Sequence, residues 1–319
     1  MDIIVSGSIA FDYLMHFPGL FSEYLLAEKL DRISVSFLVD NLNKRRGGVA
    51  ANIAYSLALL GEKPVLCGAV GNDFGPYREW LENAGVDTRG AVEFPEMYTA
   101  SFFANTDRSG NQISSFYSGA MQLAGKIKLG SVIQHAGQTL VVISPNDPGA
   151  MIRYVDECIG KKIPYVFDPS QQVVLLGGDD LMRGAEGAQM MILNEYELEI
   201  FLKKTAASQE KIAALAGTLV VTLGDKGARI HAGDRMISIP AVAPKKILDP
   251  TGVGDAFRAG LLKGLALGLP WEAAGRMGSL AAAYVLETEG PQSHHYTYRE
   301  FVHRYCTEFG DCDALKGMK

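Results

Sequence analysis

Between Asp249 and Phe257, two glycines and a carboxylate precede a helical pattern, a combination that could handle a phosphate. On either side of Val253, Gly252 and Gly254 let the backbone turn tightly, so that several N–H groups can converge on one point. The predicted helix adds its own unpaired N–H groups and the positive end of its dipole, which favour an anion. The pattern therefore predicts phosphoryl transfer to a hydroxyl, with Asp255 as the base that takes the proton. The alternative is a glycine-rich turn in which Asp255 only caps the helix.

Two segments nearer the start of the chain could bind a ligand that carries hydroxyl groups. Asp12 follows the first predicted strand, and an ionised carboxylate can accept two hydrogen bonds from a vicinal diol such as a ribose. Gly48 precedes the first long predicted helix, where glycine allows a ligand to approach the backbone, and Asn52 lies one turn further on. A turn-forming aspartate and a flexible turn with a buried asparagine are the plain structural alternatives.

Two later segments could contact a nucleotide. Glu197 lies at the start of a predicted helix after a buried strand, and it could reach phosphates through Mg²⁺ or its water shell. On these residues alone, a helix capped by Asn194 with an acidic first turn is the favoured interpretation. Residues 222–227 are typical of a hairpin turn whose amides could line a phosphate path. Neither a Walker loop nor a dinucleotide fingerprint is present in the sequence, which disfavours both of those classes.

Three segments alternate apolar and polar residues with a period of two, at residues 32–40, 99–104 and 112–117. This pattern predicts antiparallel strands with one wet face, here forming a small sheet that covers a site as a lid. Phe102 and Phe116 lie on two of these strands. They could simply form the core of the lid, or they could stack on a planar base, each contributing about 1–3 kcal/mol.

Elsewhere, short buried strands alternate with helices, which predicts a layered α/β fold built on a parallel sheet. The predicted strands are at residues 3–6, 64–70, 139–144, 165–168, 190–193 and 219–223. Helices are predicted near residues 50–60, 77–83, 150–159 and 195–202, then from 253 to 286 and from 298 to 309. Ligands of such folds bind at the carboxyl ends of strands, where Asp168 and Asn194 fall.

Composition excludes several classes of protein. The chain has 319 residues, 48% of them hydrophobic, with a formal net charge of −6 and scattered basic residues, which argues against a nucleic-acid partner. The four cysteines show no CxxC spacing, so we expect neither a zinc site nor a disulfide framework, and a reducing cytoplasm fits. The first residues lack a basic signal-peptide region, and we expect no membrane span.

The order of these motifs resembles the ribokinase-like carbohydrate and nucleoside kinases (the PfkB family). The resemblance rests on a GSIxxD start, a GGxxxN helix start, NxxE after a mid-chain strand, a TLGxKG turn and a late DPTGVGDAF. It covers nearly the whole chain, and within the family the sequence is most similar to bacterial adenosine kinases. It implies a three-layer α/β/α sandwich over residues 1–310, with lid strands from about residues 13–45 and 97–118 and a frayed tail at 311–319. It also implies transfer of the ATP γ-phosphate to the 5′-hydroxyl of adenosine, giving AMP.

The resemblance also assigns roles to individual residues. It implies that Asp255 is the catalytic base and that Gly252, Val253 and Gly254 form the anion hole. The implied nucleoside contacts are Asp12, Gly48 and Asn52 for the ribose and Ser8, Ser36, Phe102, Phe116 and Gln172 for adenine and lid. The implied ATP contacts are Asn194, Thr222, Leu223, Gly224, Asp225, Lys226, Gly227 and Gly254. Glu197 is implied to order Mg²⁺ through water, while a requirement for K⁺ stays open. Asp225 departs from expectation, because an acidic side chain there would face a polyphosphate unless it turns outward.

Two rivals remain at this stage. A sugar kinase of the same family would have no use for two rings that stack on a base, and a purine-binding regulator would have no use for the base Asp255. We also expect a homodimer through the lids, because residues 33, 35, 37 and 38 place apolar side chains on both faces of one predicted lid strand.

Overall fold

Strands and helices alternate through most of the chain, as the sequence predicts. The computed structural model describes residues 1–25, 31–32, 34–311 and 315. The strands are β1 (Asp2–Ser6), β2 (Ala10–Phe17), β3 (Asn41–Gly47), β4 (Val65–Gly71), β5 (Asp87–Phe94), β6 (Ala100–Asp107), β7 (Gln112–Tyr117), β8 (Thr139–Ile143), β9 (Tyr165–Phe167), β10 (Met190–Asn194), β11 (Thr218–Thr222), β12 (Ala228–Ala232) and β13 (Arg235–Ile239). The α-helices are α1 (Phe21–Tyr24), α2 (Val49–Leu59), α3 (Gly75–Asn83), α4 (Pro148–Lys161), α5 (Gly178–Ala185), α6 (Glu195–Thr205), α7 (Gln209–Leu215), α8 (Val253–Ala266), α9 (Trp271–Leu286) and α10 (Tyr298–Phe309).

The large sheet has the strand order β13-β12-β11-β10-β9-β8-β1-β4-β5. Its strands from β5 across to β11 pair in parallel. At the other edge, β12 and β13 are antiparallel. Because the parallel strands share one direction, their carboxyl ends meet at one edge of the sheet, where the loops after β1, β8, β9 and β10 lie together.

Helices cover both faces of this sheet, because successive strand residues point to opposite sides. On β1, Ile4 packs into one hydrophobic core while Ile3 and Val5 pack into another. On β8, Val141 belongs to the first core and Leu140 to the second. The expected three-layer α/β/α sandwich is confirmed.

A second sheet, which we call the small sheet, has the strand order β3-β2-β6-β7. Two of its strands, β6 and β7, fall where the alternating pattern predicted them. The prediction of a strand over residues 32–40 is wrong for the described part, since residues 34–39 form no strand and pairing begins at Asn41. The true edge strand β3 (NLNKRRG) has one large apolar residue, Leu42, so it gives no alternating signal. Its backbone pairing with β2 defines it.

The segment before β3 packs on an aromatic cluster. Phe37 lies 5.0 Å, ring centre to ring centre, from Phe17 and 4.8 Å from Phe21. Leu38, in contrast, is 86% exposed. Ile33, one of the residues behind the expected dimer, lies outside the described residues.

The structure also bears on the expectations for the tail, the cysteines and membrane spans. Most of the tail from 311 to 319 lies outside the described residues, but Leu315 is buried in a core with residues of α9 and α10. Cys67 and Cys158 are free and buried, whereas Cys306 is disulfide-bonded, which the cysteine spacing did not lead us to expect. None of the described helices is both long and apolar enough to cross a membrane.

Candidate active site

A cavity of about 550 Å³ opens between the small sheet and the carboxyl edge of the large sheet. The predicted site residues that line it are Ser8, Asp12, Gly48, Asn52, Phe102, Phe116, Gln172, Gly252 and Asp255. These residues come from segments as much as 247 positions apart in sequence, from Ser8 to Asp255. The fold brings them together because the loops after β1, β8 and β9 and the starts of α2 and α8 all meet under the small sheet.

The start of α8 forms one end of the cavity. Gly252 is the residue before the first helical turn and has a φ of 81°, where a side chain would be strained. The first hydrogen bond of the helix runs from the Ala256 N–H to the Gly252 carbonyl over 3.0 Å. The N–H groups of Gly254 and Asp255 therefore precede that bond and point out of the helix start, as an anion site requires.

Asp255 lies within the first turn of α8, so its interpretation as the helix cap is wrong: Gly252 occupies the cap position. Its side chain is buried, and its Oδ2 accepts a hydrogen bond of 2.8 Å from Asn52 Nδ2. Burial raises the pKa of Asp255, and Glu197 raises it further, while Arg258 and the Asn52 hydrogen bond oppose the rise. A carboxyl with a raised pKa is better suited to accept a proton than an ordinary one.

A buried ion pair supports this end of the cavity, and sequence reasoning missed it. Arg258 Nη2 donates to Asp168 Oδ1 over 2.7 Å, and its Nε lies 2.5 Å from Oδ2. Burial raises the pKa of the Asp168 carboxyl to about 7, and the Arg258 guanidinium opposes that rise. The two residues are 90 positions apart, and no local pattern marks a pairing across that distance.

On the small sheet, Asp12 faces the cavity from β2. It is paired in register with Arg45 of β3, whose guanidinium donates to Asp249 over 2.8 Å and also contacts Glu289. Burial raises the pKa of Asp12 to about 6; Arg45 lowers it and Asp249 raises it. Arg45 thus links the small sheet to the segment that begins the glycine-rich turn before α8.

The start of α2 forms the floor of the cavity between Asp12 and Asp255. Gly48 precedes the helix with a φ of 93°, and a Cβ there would lie 2.6 Å from the Ser8 carbonyl oxygen. No larger residue fits so close an approach. The Ser8 hydroxyl accepts a hydrogen bond of 3.0 Å from the Val49 N–H, so Ser8 both caps α2 and lines the cavity.

The mouth of the cavity carries the aromatic pair. Phe102 and Phe116 are directly paired across β6 and β7, and Phe116 is 54% exposed. Gln172, on the loop after β9, also lines the cavity, and its Nε2 donates to the Asn146 carbonyl over 2.7 Å. Ser36, the remaining expected nucleoside contact, is exposed and does not line the cavity.

Apart from Gly254, which lies in the first turn of α8, the expected ATP residues lie away from the cavity, at the carboxyl ends of β10 and β11. Asn194 and Glu197 form a capping box at the start of α6, with hydrogen bonds of 2.8 Å in each direction, so the capping interpretation is confirmed. Glu197 also accepts a bond of 3.2 Å from Ser170 Oγ. The turn at residues 224–226 closes with a bond of 2.8 Å from the Leu223 N–H to the Gly227 carbonyl. Asp225 in that turn is exposed.

Several cavity residues escaped the sequence analysis. They are Ala10, Val49, Met121, Pro145, Gln171, Leu175 and Thr251. Ala10, Val49 and Thr251 lie within the quoted motifs, and Gln171 adjoins Gln172, so their neighbours in sequence could have indicated them. Met121, Pro145 and Leu175 belong to no quoted motif, and only the folded chain brings them to the cavity.

Comparison with known proteins agrees with this geometry. The fold is that of ribokinase: the ribokinase of Thermotoga maritima superposes with a TM-score of 0.80 at 21% identity over 96% of this chain and 99% of that one. The chain matches the pfkB family of carbohydrate kinases over residues 23–296, and it belongs to that family.

Two relatives are more similar in sequence. The nucleoside kinase of Methanothermobacter thermautotrophicus is 29% identical over 314 residues, which cover 97% of each chain. The nucleoside kinase of Burkholderia thailandensis in complex with inosine is 35% identical, with a TM-score of 0.85 over 97% of this chain and 98% of that one. A second structure of that enzyme is in complex with ADP-inosine.

Proposed function

We propose that this protein transfers the γ-phosphoryl group of ATP to the 5′-hydroxyl of a purine nucleoside. The observation that carries the proposal is that three unlike parts line one cavity: the buried carboxyl of Asp255, the carboxyl of Asp12, and the rings of Phe102 and Phe116. A nucleoside substrate requires all three: a base for its primary hydroxyl, a hydrogen-bond acceptor for its ribose diol, and aromatic faces for its planar base.

In the proposed reaction the 5′-oxygen bonds to the γ-phosphorus, the bond from that phosphorus to ADP breaks, and the hydroxyl proton passes to Asp255. Because an alcohol has a pKa far above neutrality, the proton moves late, as the new bond forms. Asn52 occupies Oδ2 of Asp255, so Oδ1 is the oxygen proposed to take the proton. The free N–H groups of Gly254 and Asp255 are proposed to hold the charge on the moving phosphoryl group.

ATP is proposed to approach the start of α8 from the carboxyl ends of β10 and β11, along Asn194 and the turn at residues 222–227. The exposed side chain of Asp225 supports a path in which only backbone and Lys226 meet the phosphates. The ADP-inosine complex of the Burkholderia thailandensis enzyme supports the use of a nucleotide beside a nucleoside.

The donor set fits Mg²⁺ as an ion that arrives with ATP. No group of three or more His, Cys, Asp or Glu in the described part of the chain could hold a metal. Glu197 is a single carboxylate whose two oxygens already accept hydrogen bonds. Mg²⁺ in such sites keeps several waters and binds phosphates, so Glu197 is proposed to contact one of those waters. The ion would neutralise charge on the phosphates.

Adenosine is the proposed acceptor from the sequence resemblance, and inosine is the second candidate because the similar Burkholderia thailandensis enzyme binds it. Both carry a planar purine, so stacking on Phe102 and Phe116 suits either one. A sugar kinase and a binding protein without turnover are the rivals. The ring pair disfavours the first, and a buried carboxyl beside free helix N–H groups disfavours the second.

A substrate panel tests the proposal. ADP release is measured with Mg-ATP and each of adenosine, inosine, guanosine, cytidine, ribose and fructose at equal concentrations. We expect a purine nucleoside to give the highest kcat/KM. Faster turnover of ribose or fructose would assign the protein to the sugar kinases. Binding of adenosine without ADP release from any compound would make it a regulator.

A homodimer through the small sheet stays a prediction. Exposed Leu38, together with the 58% exposed Leu42 of the edge strand β3, supports it. Sedimentation at micromolar protein tests it: a monomer mass would remove the proposal.

A further inference from the structure

A chain of buried hydrogen bonds leads from the backbone of the loop before α2 to Asp255. Tyr77 Oη donates to the Gly47 carbonyl over 2.9 Å. Gln292 Nε2 donates both to Tyr77 Oη and, over 2.9 Å, to Asn52 Oδ1. Asn52 Nδ2 then donates to Asp255 Oδ2 over 2.8 Å. All three side chains in the middle are buried, so water does not compete for these bonds.

The direction of these hydrogen bonds is fixed at the Gly47 carbonyl, the end of the series farthest from Asp255. A backbone carbonyl such as that of Gly47 can only accept, so Tyr77 must donate its one proton there. Tyr77 Oη must then accept, which requires Gln292 to present its NH₂ group. The second N–H of that group faces Asn52, so Asn52 must turn its oxygen towards Gln292 and its NH₂ group towards Asp255.

We propose that Tyr77 and Gln292 are positioning residues that hold the Asn52 amide in the orientation in which it donates to Asp255. The inference rests on the proposed role of Asp255 as the base. Neither residue touches the cavity; each acts through Asn52. If the amide turned over, its oxygen would face the Asp255 carboxylate, and the hydrogen bond that favours the ionised form would be lost.

The other charged groups around Asp255 do not set the orientation of the Asn52 amide. Arg258 lies on the same helix, while Glu197 faces Asp255 from α6 and Asp168 from the loop after β9. Arg258 is held by Asp168 over 2.7 Å, and Glu197 is held in the capping box of α6. None of these groups belongs to the series of hydrogen bonds that begins at Gly47, in which Tyr77 is linked to Asp255 through Gln292 and Asn52.

Tyr77→Phe tests the proposal, with Tyr55→Phe as a matched control. Tyr55 is also a buried tyrosine whose hydroxyl donates to a backbone carbonyl, that of His294, over 3.0 Å, but it lies outside the chain to Asp255. We expect Tyr77→Phe to move the acid limb of the kcat/KM profile up by about one pH unit, the scale of one hydrogen bond to a charged group. At a pH on that limb the variant would lose roughly tenfold in kcat/KM. Tyr55→Phe should leave the profile in place.

Gln292→Glu gives a second test from the middle of the chain. An ionised glutamate can only accept, so it would draw the Asn52 NH₂ group away from Asp255, and we expect the acid limb to rise at least as far as in Tyr77→Phe. Nucleoside binding by calorimetry and the melting temperature report that each variant is folded. Superimposable profiles for wild type, Tyr77→Phe and Gln292→Glu would overturn the inference. Failure of the wild type to phosphorylate any nucleoside would instead overturn the proposed function.

Discussion

Replacing Asp255 with asparagine should separate chemistry from binding and from stability. The asparagine oxygen can still accept the hydrogen bond of 2.8 Å from Asn52, so the local structure is retained. The atom at the other position becomes an NH₂ group, which cannot accept the hydroxyl proton. General-base catalysis contributes about 10²- to 10⁴-fold, so we expect a loss of that size in kcat, equivalent to about 3–5 kcal/mol of activation free energy.

The same substitution should not destabilise the fold at neutral pH. Burial raises the pKa of Asp255 above its ordinary value of 3.8, so ionised Asp255 is less favourable in the folded chain than in the unfolded one. Wild-type stability therefore falls as the pH rises from that ordinary value through the raised folded pKa. Asparagine does not ionise, so the variant should melt at a higher temperature than wild type at pH 8, and the difference should shrink as the pH is lowered.

Three measurements check this prediction: ADP release with the best nucleoside, nucleoside affinity by calorimetry, and melting temperature at several pH values. Affinity is expected to stay within about tenfold of wild type, the scale of one altered hydrogen bond. A variant with kcat within tenfold of wild type would refute the role of Asp255 as base. A variant that no longer binds the nucleoside would make Asp255 a binding residue, and a lower melting temperature at pH 8 would refute the argument from burial.

Three further predictions concern the rest of the site. Phe102→Ala should weaken nucleoside binding by about 5- to 150-fold, because stacking on one ring contributes about 1–3 kcal/mol. Ribose binding should change far less. Equal losses of nucleoside and ribose affinity, measured by calorimetry, would contradict the stacking role. Glu197→Gln keeps the capping box but removes a charge. The Mg²⁺ concentration for half-maximal activity should therefore rise several-fold, while nucleoside affinity stays unchanged. An unaltered Mg²⁺ titration would exclude the contact between Glu197 and the water shell of the ion. Arg258→Met leaves the buried carboxyl of Asp168 without its partner and should lower the free energy of unfolding, measured in urea, by about 3–5 kcal/mol. Adding Asp168→Asn should restore more than half of that loss, because burial of a carboxyl without its cation is the cause.

The buried parallel strands were predictable because each carries its own signal. Strands such as β8 (Thr139–Ile143) and β11 (Thr218–Thr222) are short apolar runs, and the sequence places each within one residue. The helix α10 (Tyr298–Phe309) was predicted at both ends, where Thr297 and Gly310 supply the capping residues. The edge strand β3 (Asn41–Gly47) was not, because an exposed polar strand is defined by its partner alone.

The candidate site also combines residues that could be predicted from the sequence with contacts that could not. Asp255, Asp12 and Gly48 were identifiable because residue type and neighbours already indicate their chemistry. The ion pair of Asp168 with Arg258 and the path through Gln292 were not, because they join residues 90 and 240 positions apart, and the path also depends on which way an amide is turned.

By itself, then, the amino-acid sequence determined most of the buried strands and helices and which segments can hold an anion. Those properties depend on hydrophobic period, glycines and helix starts that lie within a few residues of one another. The tertiary structure alone decided the strand order, the cavity under the small sheet, and the direction of the hydrogen bonds that reach Asp255. These depend on contacts between distant segments and on burial, and burial raises a carboxyl pKa only once the chain has closed around it.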